Sequence, residues 1–171
     1  MNKKYVFLVL FGLILSGIVF GADLNSINSE INSITEKVSA MEKEGFKVSM
    51  ISDELFLIKE QYATAREARI SGKPYDLSQI DSRITSLSAT IDLAYLTRDE
   101  IIAVKIEAEN TKKEIDVNEA ELIIKQAEQE FNDQRYEKAR EYVNSAYEKL
   151  IELKSFQAKA NAAYIAARKN I

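Results

Sequence analysis

Residues 24–41 constrain this chain more than any other stretch. Leu24, Ile27, Ile31, Ile34, Val38 and Met41 recur at spacings of 3-4-3-4-3, with Asn, Ser, Glu and Lys between them. Apolar residues at the a and d places of a heptad make one narrow seam along a helix, and such a seam is buried by packing on another helix. The expected fold class is therefore all-α. Asp23 stands at the N-cap or first turn, where its carboxylate meets backbone N–H groups that lack a helical partner. Leu77, Ile80, Ile84, Leu87, Ile91 and Ala94 repeat the 3-4-3-4-3 pattern. So do Val48, Ile51, Leu55, Ile58, Tyr62 and Ala65, but with the phase shifted by one residue after Val48. Near the shift stands Gly45. Either the helix bends there, or it breaks briefly over 45–51, or it runs on with a phase defect.

Residues 70–76 hold the best turn. Gly72 accepts a left-handed backbone that ends a helix, and Pro74 blocks continuation. Asp76 or Ser78 caps the next helix. Two long amphipathic helices joined by so short a turn are expected to pack antiparallel. Thr97 and Glu100 have capping-box spacing, which marks either a helix restart or chance within one continuous helix. Asp116 and Glu119 repeat that ambiguity. Residues 105–119 are charge-rich and read as an exposed helix. The chain is thus expected to be long antiparallel helices with coiled-coil-like packing, an elongated three- or four-helix bundle. Residues 22–171 form one helical domain. It comprises a hairpin over 23–96 around the turn 71–76 and a hairpin-like unit over 98–171 with a turn near 132–135.

Ala127, the turn near Gln134, Tyr136, Ala139, Tyr142 and Ala146 resemble the small and aromatic positions of a tetratricopeptide-type helical hairpin. The resemblance covers roughly 30 residues and one repeat, whereas a functional array takes about three. It implies that the alanines let two helices approach closely and that the aromatics fill the groove between them. Gln134 stands where that family has a turn Gly, and no Pro closes the unit. The segment is similar also to helical hairpins of small bacterial envelope proteins. Beyond it, Phe156, Ala160, Ala163, Tyr164 and Ala167 continue an apolar spacing that ends in Arg168, Lys169 and Asn170. The basic end suits a helix C-terminus. This tail is expected either to pack on the body or to help a partner dock.

The N-terminus carries an export pattern. Lys3 and Lys4 precede an apolar run over residues 5–15, and a small-residue exit ends at Gly21. Val19 and Gly21 fit signal-peptidase cleavage after Gly21. The alternative is an uncleaved anchor, but residues 5–20 fall short of the ~20 that span a bilayer. Residues 1–21 are therefore expected to be a Sec-type signal peptide. Residues 22–171 hold 21 Lys+Arg against 27 Asp+Glu, a charge of -6. The Lys-Lys start and short apolar run look bacterial. The expected destination is periplasmic, outer-membrane-associated or extracellular.

Absent residue types exclude much chemistry. The chain has no Cys and no His. Thiolate or imidazole metal sites, disulfides, cysteine nucleophiles and Ser-His-Asp triads are ruled out. The paired carboxylates Glu107/Glu109, Glu114/Asp116, Glu119/Glu121 and Glu128/Glu130 are spaced i,i+2, which points them apart on a helix. Glu100, Glu107 and Glu114 share one side at heptad distance but lack the His of a di-iron site. Arg66, Arg69 and Lys73 form a small basic end that reads as solvated surface. No catalytic, metal or cofactor residue is expected, and the acidic balance disfavours nucleic acid. The expected function is non-enzymatic, through protein–protein interaction or a structural role in the bacterial cell envelope. The partner is another envelope protein or a second copy, with membrane contact only through an uncleaved N-terminal segment. The candidate interaction seam is Leu24, Ile27, Ile31, Ile34, Val38 and Met41. The candidate hairpin groove is Tyr136, Ala139, Tyr142 and Ala146. The alternatives are a holdase-type periplasmic chaperone, which the chain resembles in size but not in charge, and a surface adhesin-like helical rod.

Overall fold

The computed structural model describes residues 23–169, so the export segment 1–21 lies outside the described residues. Five helices follow one another: α1 Leu24–Lys43, α2 Ser49–Ile70, α3 Ser78–Lys112, α4 Asn118–Asn132 and α5 Tyr136–Lys169. The described residues contain no strand, and the chain is all-α. Five helices stand where three or four were expected, because breaks at 44–48 and 113–117 cut what had read as longer runs.

Three helix ends share one mechanism. After α1, Gly45 turns left-handed at φ +86. Phe46 N–H then donates to Met41 O at 3.0 Å, and Gly45 N–H to Glu42 O at 3.1 Å. These are the paired bonds of a Schellman cap. Gly72, at φ +65, repeats the pattern after α2, with Lys73 N–H donating to Ala68 O at 2.8 Å. The third case is Gln134, at φ +59, with Arg135 N–H donating to Glu130 O at 2.9 Å. At the other end of α1, Asp23 caps as its sequence position predicts, accepting from Asn25 and Ser26 N–H, both at 2.8 Å.

The helices enclose two cores. In the first, α1, α2 and the front half of α3 bury the three heptad seams together, including Ile27, Met41, Ile51, Ile58 and Ile91. The second lies among the back half of α3, α4 and the front half of α5. It is built from Ile101, Val104, Val117, Ile124, Val143 and Leu150 with Ala108, Ala120, Ala127 and Ala146. The 35-residue α3, about 50 Å long at helical rise, therefore serves both. It runs unbroken through Thr97 and Glu100. Thr97 Oγ1 donates to Leu93 O at 2.7 Å, back into its own helix, so the capping-box spacing there caps nothing.

Residues 105–119 do not form one exposed helix. α3 stops at Lys112, and α4 begins only at Asn118. Asp116 Oδ1 accepts from Asn118 N–H at 3.0 Å, and Val117 is buried in the second core. A buried valine between two helices anchors the connection. No Gly or Pro is needed to break the run.

Candidate functional site

The six residues of the predicted seam, Leu24, Ile27, Ile31, Ile34, Val38 and Met41, are all buried in the first core. Their apolar surface is occupied by α2 and α3 of the same chain. Of the predicted groove, Tyr136, Ala139 and Ala146 are buried, and Tyr142 is partly buried against the second core. The carboxylates Glu100 and Glu107 are each held by a cation on α5, Arg140 at 2.7 Å and Lys154. Among the described residues no three acidic side chains converge into a metal-holding group. Arg66, Arg69 and Lys73 are all exposed beside the turn, in line with a solvated basic end.

Two features emerge from the geometry. The first is an aromatic joint between the cores. The Phe46 ring centroid lies 4.9 Å from Tyr95 and 5.7 Å from Phe131, and Phe131 lies 5.5 Å from Tyr136. The Arg98 guanidinium sits 4.8 Å over Phe46 and pairs with Glu44 at 2.6 Å. Such tilted aromatic pairs and stacked guanidinium contacts add to simple area burial. Tyr136 is 4% exposed and belongs to the first core although it opens α5. Its hydroxyl has no hydrogen-bond partner among the described residues, and burial pushes its pKa up.

Gln134 completes the joint. A non-glycine residue at positive φ is disfavoured by about 1 kcal/mol. Here the long amide reaches across to the start of α2. Its Oε1 accepts from Met50 N–H at 3.0 Å, and its Nε2 donates to Ser49 Oγ at 2.7 Å. Val48, the N-cap residue of α2, offers no side-chain cap of its own. Gln134 supplies it from 84 residues away, a bond that Gly at this position lacks.

Glu130, beneath the same turn, is the one charged residue buried among the described residues. Arg135 and Lys138 surround it, and its hydrogen bond to Arg135 holds the carboxyl below its ordinary range. Glu54 is lowered likewise by Arg83, which grips it at 2.6 and 2.8 Å across α2 and α3. A folded-state pKa below the unfolded one adds stability that is full above the ordinary value of 4.5 and lost as pH falls through the lower folded value. Acid titration of unfolding stability is therefore expected to show a decline below pH 4.5, and the double variant Glu54→Gln, Glu130→Gln flattens it. An unchanged acid limb in that variant refutes the assignment.

The second feature is an arm. α5 spans 34 residues, and the end of α3 with the loop after it reaches only as far as a notch lined by Lys154, Gln157 and Asn161. From residue 154 to 168 every side chain is exposed except Gln157, which is partly so. Phe156 is 59% and Tyr164 63% exposed. At 100° per residue, Leu153, Phe156, Ala160, Ala163, Tyr164 and Ala167 fall on one stripe. Residues 153–169 contain Lys154, Lys159, Arg168 and Lys169 and no acid, while all 27 acidic residues lie between Asp23 and Glu152. A basic arm thus leaves an acidic body. None of the described helices is long and apolar enough to cross a membrane. Elsewhere, exposed apolar residues such as Leu122 and Ile70 occur among charged neighbours, as on most surfaces.

No protein-family model, no curated protein and no solved structure matches this chain.

Proposed function

We propose that the chain is a non-enzymatic helical binding protein of the bacterial cell envelope, exported by residues 1–21. Its sequence-adjacent helices run antiparallel in coiled-coil-like packing, and it works through contact between its arm and another helix. One observation carries this reading. The heptad seams of the body are used up inside the two cores, where Leu153 is the last residue of α5 to pack, and the stripe from Phe156 to Ala167 lies exposed beyond them. A helix that keeps an apolar stripe in water is disfavoured by about 25 cal/mol per Å² until something covers it. The His-free, Cys-free composition and the acidic residues tied to cations support binding over catalysis.

The test is a photo-crosslinking residue placed at Phe156 or Tyr164 and, as a control, at Leu122, which is equally exposed on α4. In cells that make the protein, irradiation is expected to give discrete adducts from the two arm positions and none from Leu122. Adducts of equal strength from all three positions, or from none, reject a binding role for the arm. Fractionation of the same cells checks export. A product that stays in the cytoplasm at full length rejects the envelope assignment.

A further inference from the structure

We infer that the chain is hinged. The second core, with α4, α5 and the back half of α3, swings as one body against the first about the Ala94–Thr97 step of α3, and the aromatic joint is the clasp that holds the closed position. The inference goes beyond the binding role proposed above and does not depend on it.

The seam of α3 carries the first argument. Its buried residues alternate at spacings of four and three from Ile80 to Ala94, and again from Thr97 to Thr111. Between them Ile91, Ala94 and Thr97 follow at two threes in succession. A three-residue insertion turns a seam by about 60° around its helix and overwinds it locally. Ala94 is the last residue of α3 in the first core, and Ile101 is the first in the second. The skip therefore falls at the boundary. Ala94 and Thr97 are fully buried but small, so the helix is gripped there by fewer apolar atoms than at Ile91 or Val104. Thr97 also turns its hydroxyl back to Leu93 O, a bond that loosens and bends helices. Thr90 and Thr111 do the same, but away from the boundary.

Few contacts bridge the two bodies. α1 and α2 do not pack along α4 or α5, and among the described residues no ion pair joins them. What crosses comes from residues 131–136: the Phe131 ring on Phe46, Tyr136 in the first core, and the Gln134 amide on Ser49 and Met50. Arg98, held by Glu44, stands one residue past Thr97, so a small rotation leaves that pair intact. Release of six consecutive residues frees the whole second body.

The clasp closes imperfectly. Tyr136 is buried with its hydroxyl unpartnered, which favours any state in which water reaches it. A cavity of about 240 Å³, lined by Met50, Leu87, Gln134 and Tyr136 among others, lies where α2 and α3 of the first body meet the 134–136 turn of the second. Gln134 holds its left-handed backbone at the same place. Strain and unpaired groups gather where a structure switches. α5 starts at the clasp and runs about 48 Å to Arg168, so an opening of about 20° moves its far end by about 16 Å.

The chain has no native Cys, so paired labels report cleanly. Spin labels at Lys59→Cys and Gln126→Cys span the two bodies, and labels at Lys59→Cys and Ser82→Cys lie within the first; all three sites are exposed. Pulsed electron–electron distance measurements on the chain freed of its first 21 residues are expected to give one narrow distance within the first body. Across the bodies they give two populations, closed and open. Tyr136→Phe removes the unpartnered hydroxyl and lowers the open population about tenfold. Gln134→Gly keeps the turn, loses the grip on α2 and raises it about tenfold. Circular dichroism of both variants should match the parent. Amides 97–101 are expected to exchange with solvent faster than those of Ile91 and Val104, while Ile124 and Val143 stay protected. One narrow distance across the bodies in parent and Gln134→Gly alike overturns the inference. So does an open population whose Ile124 and Val143 amides exchange freely, because the second core has then unfolded rather than swung. An open population that Tyr136→Phe leaves unchanged overturns the clasp, and uniform protection along α3 overturns the pivot.

Discussion

Phe46→Ala is expected to destabilise the folded chain by about 3–5 kcal/mol and to divide its unfolding into two steps. Phe46 is 7% exposed and touches Tyr95, Phe131 and the Arg98 guanidinium. Neither α1 nor α2 packs along α4 or α5. Among the described residues the two cores therefore communicate through α3 and through the joint, which Phe46, Tyr136 and Gln134 make together. Removing the ring opens a cavity there and strips Arg98 of its stacking surface. In urea, helical signal and tyrosine fluorescence should follow one transition for the parent chain and separate for the variant. Leu122→Ala, on the exposed face of α4, should stay within about 0.5 kcal/mol. One cooperative transition with a shift under about 1 kcal/mol in Phe46→Ala would show that α3 and the contacts of Gln134 and Tyr136 couple the cores without the ring.

Ala146→Leu should cost about 1–3 kcal/mol. Ala146 is fully buried, as are Ala120 and Ala127 beside it in the second core. Three methyl-sized side chains meeting without accessible surface leave no room for a larger residue unless α5 moves away from its neighbours. The first core is filled mainly by Ile and Leu, with Ala only at Ala65 and Ala94. A lowered melting temperature in Ala146→Leu measures how tightly the second core is set. A variant that melts with the parent means that α5 can shift at no cost, and the close-approach reading of these alanines is then wrong.

The first core was legible because its signal is periodic. Eighteen residues of strict 3-4 spacing in α1, and comparable runs in α2 and α3, admit few packings, and every seam position from Leu24 to Met41 is buried. Gly45 marked a discontinuity, but spacing alone left bend, break and phase defect equal. The left-handed cap decides for the break. The connection at 113–117 was missed because it lacks Gly and Pro and is dense in charge. Its anchor is Val117, one buried residue that no pattern singles out. Gln134 was placed at a turn, yet its reach to Met50 joins residues 84 apart. The joint was hidden for the same reason, since Phe46, Tyr95, Phe131 and Tyr136 come from four separate segments. Ala127, Ala139 and Ala146, the small residues that carry the resemblance to a tetratricopeptide-type hairpin, are buried. The resemblance did not foresee that Tyr136 crosses into the other core. The arm's apolar spacing was visible, whereas its isolation depends on where α3 and α4 end.

Among the described residues, helices that pack along one another are one or two places apart in the chain: α1 with α2 and α3, α2 with α3, α3 with α4 and α5, and α4 with α5. Low sequence separation of this kind favours fast folding and lets structure form from one end. A chain threaded head first out of a ribosome or through a translocation pore can close its first core once Ala94 has cleared, with more than 70 residues still inside. The second core then grows on the protruding half of α3 as on a template. Phe131 and Tyr136 arrive late and dock against a surface already waiting. Order of emergence and order of assembly largely coincide, and only the cap from Gln134 and the ring of Tyr136 reach the first core from far down the chain.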